Sequence, residues 1–159
     1  MDYQNDRLAE IRGQRSDSEF CWTCKSVVIE HILTQMPDLE WAIYLDSDMM
    51  VFGDPDKGLP KSTQSHVLLT PHRPSTPHFE SFMHQAGRFN AGYIAFRSTK
   101  EGLEVLRWWR EKCEESCSGR PDSQGYADQR YLEEFPKLFS GVTISGNVGL
   151  NAAPWNISG

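Results

Sequence analysis

Apolar positions along the chain fall into two alternating kinds of run. Phe20, Cys24, Val27, Val28, Ile32 and Met36 recur at the spacing of one helix face. Asp17 and Ser18 supply capping groups ahead of them, and Pro37 ends the run. This predicts a helix that buries that stripe. WAIYLD (41–46) is short and continuously apolar up to its last residue, the pattern of a strand buried on both faces. HVLLT (66–70) and AGYIAF (91–96) repeat it, and PHRPSTPHF (71–79), with three prolines, reads as a loop between them. A second helix is predicted from Thr99, with Leu103, Leu106, Trp109 or Arg110, and Cys113 on its inner stripe, ended by SGRPDSQG. YADQRYLEEF (126–135) reads as a short helix closed by Pro136, VTIS (142–145) as a last strand, and residues 146–159 as a Gly/Asn-rich tail. Residues 1–18 carry little pattern and are set apart from one domain over 19–159.

Helices alternating with wholly apolar strands predict an α/β fold, its sheet mostly parallel or mixed and covered by helices on both faces. Composition fits one domain with a real core: 159 residues, 38% apolar, with 8 Phe, 5 Trp and 5 Tyr. The net charge of −6 argues against a nucleic-acid binder, whose footprint is basic. No run approaches the roughly 18 apolar residues of a membrane span, and the first residues lack an apolar signal core. A cytoplasmic setting is therefore the expectation, with peripheral membrane association left open. Four Cys are too few for a disulfide scaffold of this length. Cys21, Cys24, Cys113 and Cys117 could in principle share one zinc, but cysteines on predicted helices more often pack in the core.

The most informative segment is Ile43-Tyr44-Leu45-Asp46-Ser47-Asp48. Two carboxylates one residue apart stand where an apolar strand runs out, and ligands of open α/β sheets bind beyond the carboxyl ends of strands. If Ser47 is extended, Asp46 and Asp48 point to one side. Paired carboxylates repel unless a cation joins them, and oxygen-only ligands suit Mg2+ or Mn2+ with substrate phosphates. The bland alternative is an Asp-Ser-Asp turn. Phosphatases of the haloacid dehalogenase type also place two Asp after an apolar strand, with Thr or Val two residues beyond the second. Met50 stands there instead.

EWAIYLDSDMMVFGDP resembles the DxD segment of GT-A glycosyltransferases. Arg88-Phe89-Asn90-Ala91-Gly92-Tyr93 resembles the FNAG segment of glycosyltransferase family 8, and Ala127-Asp128-Gln129 with Tyr131-Leu132 resembles its DQ segment. LRWWREKC and GLNAAPWN are similar to a bacterial branch of this group. The resemblance runs from about Phe20 to Ile157. It implies a GT-A-like, Rossmann-like mixed sheet and a metal-dependent transfer from a nucleotide-diphosphate sugar to a glycan, glycolipid or protein acceptor. It implies Asp46 and Asp48 on Mn2+ or Mg2+; Asp46, Asn90, Ala91, Gly92 and Trp155 at the substrate; and Asp128 and Gln129 at the reacting carbon. It also implies that the family's first nucleotide-binding strands lie outside this sequence. The family's H-x-x-G-x-x-K-P-W tail corresponds to NVGLNAAPWN, which keeps Pro154-Trp155 without the His or Lys. A binding module of the same fold without catalysis is the alternative from another class.

Of the remaining residues, His72, His78 and His84 read as loop histidines, and Arg73 and Arg88 as surface residues within reach of phosphate. One of Trp108 and Trp109 is expected in the core and the other at its rim.

Overall fold

Trp41–Leu45 (β1), Val67–Pro71 (β2), Phe89–Arg97 (β3) and Val142–Ile144 (β4) form one mixed sheet in the order β1-β3-β2-β4. The computed structural model describes residues 6–120 and 127–156, and not the side chains of Phe82, His84 and Gln85. The stretch 121–126, with Tyr126 of the expected short helix, therefore lies outside the described residues, as does His84 for its side chain. β3 runs antiparallel to both neighbours, and β2 and β4 are parallel.

The central strands match the expectation of continuous burial. β2 is buried over Val67–Thr70 and β3 over most of its length. β1 does not match it: the strand lies at the sheet edge with only Ala42 fully buried, because among the described residues it pairs with β3 alone. The two faces of the sheet are covered differently. Asp17–Gln35 (α2) and Lys100–Glu115 (α4) pack over one face, where Ile29, Leu33, Ile94, Phe96, Leu106 and Trp109 form the main core. The other face is covered by Met49, Leu59 and Leu150, which come from loops and pack against Leu68, Tyr93 and Ala95.

α2 forms where expected but is turned. Ser16 caps it, accepting from Glu19 N while Glu19 reaches back to Ser16 N. Its buried residues are Thr23, Lys25, Ser26, Val27, Ile29 and Leu33, whereas Val28, Ile32 and Met36 of the expected stripe are exposed. The inward face carries polar groups because each finds a partner inside, Lys25 above all. On α4, Trp109 is fully buried and stacks on Phe96 at 5.8 Å, while Trp108 stays at the rim against Tyr131 and Phe139. Cys113 and Cys117 are buried, and the helix already ends at Glu115.

Three segments depart from expectation. The featureless start contains a helix, Asp6–Arg12 (α1), with Leu8 and Ile11 buried, and Arg15 closes the end of α4 by donating to the carbonyls of Cys113 and Glu114. The proline-rich loop yields at Pro77–Ala86 (α3), because Thr76 caps it and Pro77 suits the first helical turn. Gln129–Glu133 is a 3-10 turn, and Pro136 opens the short helix Phe135–Leu138 (α5) rather than closing one. No helix among the described residues is long and apolar enough to cross a membrane.

Candidate functional site

A cleft of about 620 Å³ opens beyond the end of β1, between the loop 45–58 and the tail 147–155. Asp46 and Asp48 line it, with Asn90 and Gly92 of β3 and Asn151 and Trp155 of the tail. Asp46 follows β1 directly, and its backbone N–H donates to Gly92 O at 2.9 Å, so the two strands hold it in place. Ser47 and Asp48 then turn, with Met49 N returning to Asp46 O at 3.1 Å. The condition of an extended Ser47 is thus not met: Asp46 is half-buried while Asp48 is exposed. Met50, Val51 and Phe52 follow as an apolar rim, Phe52 being 91% exposed.

The floor is built by an irregularity in β3. Leu69 pairs with Ile94, but Thr70 pairs with Asn90, so Ala91, Gly92 and Tyr93 have no partner on β2. Ala91 turns its methyl into the main core and does not line the cleft. Asn90 Oδ1 accepts from Gly92 N at 2.6 Å and from Asn151 Nδ2 at 2.7 Å. Asn151 Nδ2 also donates to Thr70 Oγ1 at 3.1 Å. Asn151 adopts φ 57°, a left-handed conformation that Asn tolerates. Arg73 fixes the tail by donating to the carbonyls of Asn147 and Leu150, at 2.8 and 2.7 Å. It serves the backbone rather than the cleft, and Arg88 pairs with Glu133 instead.

Behind Asp46 stands a residue the sequence reading passed over. Lys25 of α2 places Nζ 2.9 Å from Asp46 Oδ1 and 3.0 Å from Asp128 Oδ2, and its side chain is only 8% exposed. Tyr44 Oη donates to the same Asp46 oxygen at 2.9 Å. Burial draws the Lys25 pKa down, but Asp128 and Asp46 outweigh it and hold the ammonium charged above the ordinary lysine value. Burial pushes the Asp128 carboxyl up, with Lys25 opposing. Asp128 is held from its backbone by Trp109 Nε1 at 2.9 Å and does not line the cleft; neither does Gln129, the first residue of the 3-10 turn.

Oxygen donors of the kind a divalent cation takes line the cleft. Gly92 leaves a cradle: a Cβ there would lie 3.2 Å from Asn151 Oδ1 and 3.4 Å from Asp46 Oδ2, both hard oxygens. One ammonium faces two carboxylates and Asp48 adds a third, which leaves two formal negative charges. Among the described residues no group of three His, Cys, Asp or Glu comes together as a ligand set, so substrate oxygens would have to complete the shell.

No family model matches the chain. It is 34% identical over 156 residues to the uncharacterized protein YfnD of Bacillus subtilis (strain 168), covering 97% of this chain and 50% of YfnD. It is 32% identical over 158 residues to the uncharacterized protein YfnF of the same organism, covering 96% and 52%. The chain spans about half the length of these relatives. Among solved structures it is similar to a glycosyltransferase involved in the glycosylation of the major capsid of PBCV-1, with a TM-score of 0.57 and 16% identity over 87% of this chain and 70% of that one. The chain thus has a mixed α/β fold like that of a glycosyltransferase.

Proposed function

We propose that this chain carries the donor site of a glycosyltransferase using a nucleotide-diphosphate sugar and Mn2+ or Mg2+. The observation that carries the reading is the placement of Asp46 and Asp48 beside Asn90, Gly92 and Asn151 in one cleft, in a fold shared with a solved glycosyltransferase. The relation to family 8 rests on the residue motifs alone. A divalent cation held by Asp46 and Asp48 would offset the charge that develops on the leaving diphosphate. The chain's own residues prepare that site. Lys25 and Tyr44 occupy Asp46 Oδ1 and leave Oδ2 for the cleft. Gly92 lets a sugar approach the backbone, and Asn90 keeps one amide N–H for a hydroxyl. Asp128 acts through Lys25, and Trp155 walls the far side. The acceptor is a glycan, a glycolipid or a protein.

Calorimetric titration with UDP, GDP and ADP, with and without Mn2+, tests the reading. The expected result is Mn2+-dependent binding of one nucleotide that Asp48→Asn removes. Binding indifferent to Mn2+ and to Asp48→Asn, or none at all, overturns it. A second reading, sugar-nucleotide binding without transfer, is favoured by the lack of a third acidic or His ligand among the described residues. Release of free sugar from the donor, abolished by Asp48→Asn, decides against it.

A further inference from the structure

We propose that His72 is a positioning residue whose neutral ring, accepting at Nε2, locks the Asn90 amide into the orientation the cleft uses. The functional half of this statement rests on the donor-site reading above; the lock itself does not.

The argument begins with a donor that cannot change. Gly92 N–H must donate, and it points at the Asn90 side chain from 2.6 Å, so the atom there is the carbonyl oxygen. Asn151 donates to the same oxygen, and Asn151 Nδ2 is fixed in turn because Thr70 Oγ1 spends its proton on Tyr93 O at 2.9 Å. The other end of the Asn90 amide is then –NH2, and it lies 3.1 Å from His72 Nε2. An –NH2 group only donates, so Nε2 must be the bare nitrogen and Nδ1 carries the proton. His72 is 4% exposed and lies just past β2.

Protonation puts two donors face to face. The Asn90 amide then has to turn, which points –NH2 at Gly92 N–H and at Asn151, or the ring has to move. Either change opens the floor of the cleft. The groups around the ring set where this happens. Burial opposes a proton on the ring, and Nδ1 lies buried without a hydrogen-bond partner; the nearby carbonyls of Gly87 and Arg88 and the Glu133 carboxylate favour a proton less strongly, so the ring titrates below the ordinary histidine value. Trp155 packs edge-on at 5.8 Å and contributes no charge. Arg88 is paired with Glu133, and the neighbouring Arg73 is committed to tail carbonyls.

Nitrogen-15 NMR of the chain tests the lock without any substrate. At pH 7.5 the His72 ring should show the Nδ1–H tautomer. On acidification the Asn90 side-chain amide signals should move with the same midpoint as the ring, below that of an exposed histidine. His72→Gln keeps an acceptor that cannot be protonated. It should hold the Asn90 signals near their pH 7.5 positions and abolish their movement. His72→Leu removes the acceptor and should weaken Mn2+-dependent nucleotide binding about tenfold, with His72→Gln restoring most of it. An Nε2–H tautomer at pH 7.5, or Asn90 signals indifferent to the ring's titration, overturns the lock. Intact coupling with no nucleotide binding overturns the donor-site reading instead.

Discussion

Lys25 Nζ stands 2.9 Å from Asp46 Oδ1 while the same ammonium reaches Asp128 at 3.0 Å. A cleft residue is thereby tied to the buried core through a helix more than 20 positions earlier in the chain. Removing the ammonium strands the buried carboxylate of Asp128. Lys25→Met should lower stability by about 3–5 kcal/mol, and Asp128→Asn in that background should recover part of the loss. Urea unfolding of the single and double variants checks this. An unchanged midpoint in Lys25→Met would remove the ion triad from the account.

Asp46 and Asp48 should separate in what they lose. Asp46 is held by Lys25 and Tyr44, so Asp46→Asn weakens both the fold and nucleotide binding. Asp48 is exposed at the turn that follows β1. Asp48→Asn should leave the unfolding midpoint within about 0.5 kcal/mol and abolish only the Mn2+-dependent binding. Equal effects of the two substitutions on stability would contradict the division of labour.

Glu19 gives a prediction in acid. The Ser16 and Gly119 backbone N–H groups hold its carboxyl down at about 2. A folded pKa below the unfolded one gives stability that is present above the unfolded value and lost as pH falls through the folded one. Wild type should therefore exceed Glu19→Gln in stability above about pH 4.3 and converge with it near pH 2. Glu19 is only partly buried at the surface, so solvent screens it and the gap is no more than about 1 kcal/mol. Denaturation midpoints between pH 2 and 6 measure it, and a constant gap would place the effect elsewhere.

The two long helices, the four strands in their order and the acidic strand end were legible because each is a local pattern. A continuous apolar run marks a strand, and Asp46 closes one, although that strand lies at the sheet edge rather than in its centre. What sequence periodicity could not show was which face of α2 turns inward. Val28, Ile32 and Met36 make the more apolar stripe, yet the buried face carries Thr23 and Ser26, which bond to carbonyls of α2 itself, and Lys25, whose partners Asp46 and Asp128 follow β1 and precede the 3-10 turn. The signal available was Lys25 itself, a lysine flanked by small polar residues on a helix that precedes an acidic strand end. The contacts of His72 and Asn151 with Asn90 were out of reach of local pattern, because Asn90 sits 18 and 61 positions away from them. The motif reading grouped Ala91 with its neighbours, but alternation along β3 sends it into the core.

Gly92 offers the sharpest test of the cleft, because the change is one methyl group. A Cβ there would lie 2.6 Å from Asn90 Oδ1, closer than real contacts allow, and within 3.4 Å of Asp46 Oδ2. Asn90 cannot simply swing aside, since its oxygen is held by Gly92 N and Asn151 and its nitrogen by His72. Gly92→Ala should therefore cost about 1–3 kcal/mol through overpacking and should fill the cradle between the two free oxygens. If that cradle is where the donor and its cation are held, nucleotide binding falls at least tenfold, a loss that cooling to restore the folded population does not recover. Binding that survives in a fully folded Gly92→Ala protein would move the donor site away from the end of β1, toward the apolar rim at Met50–Phe52.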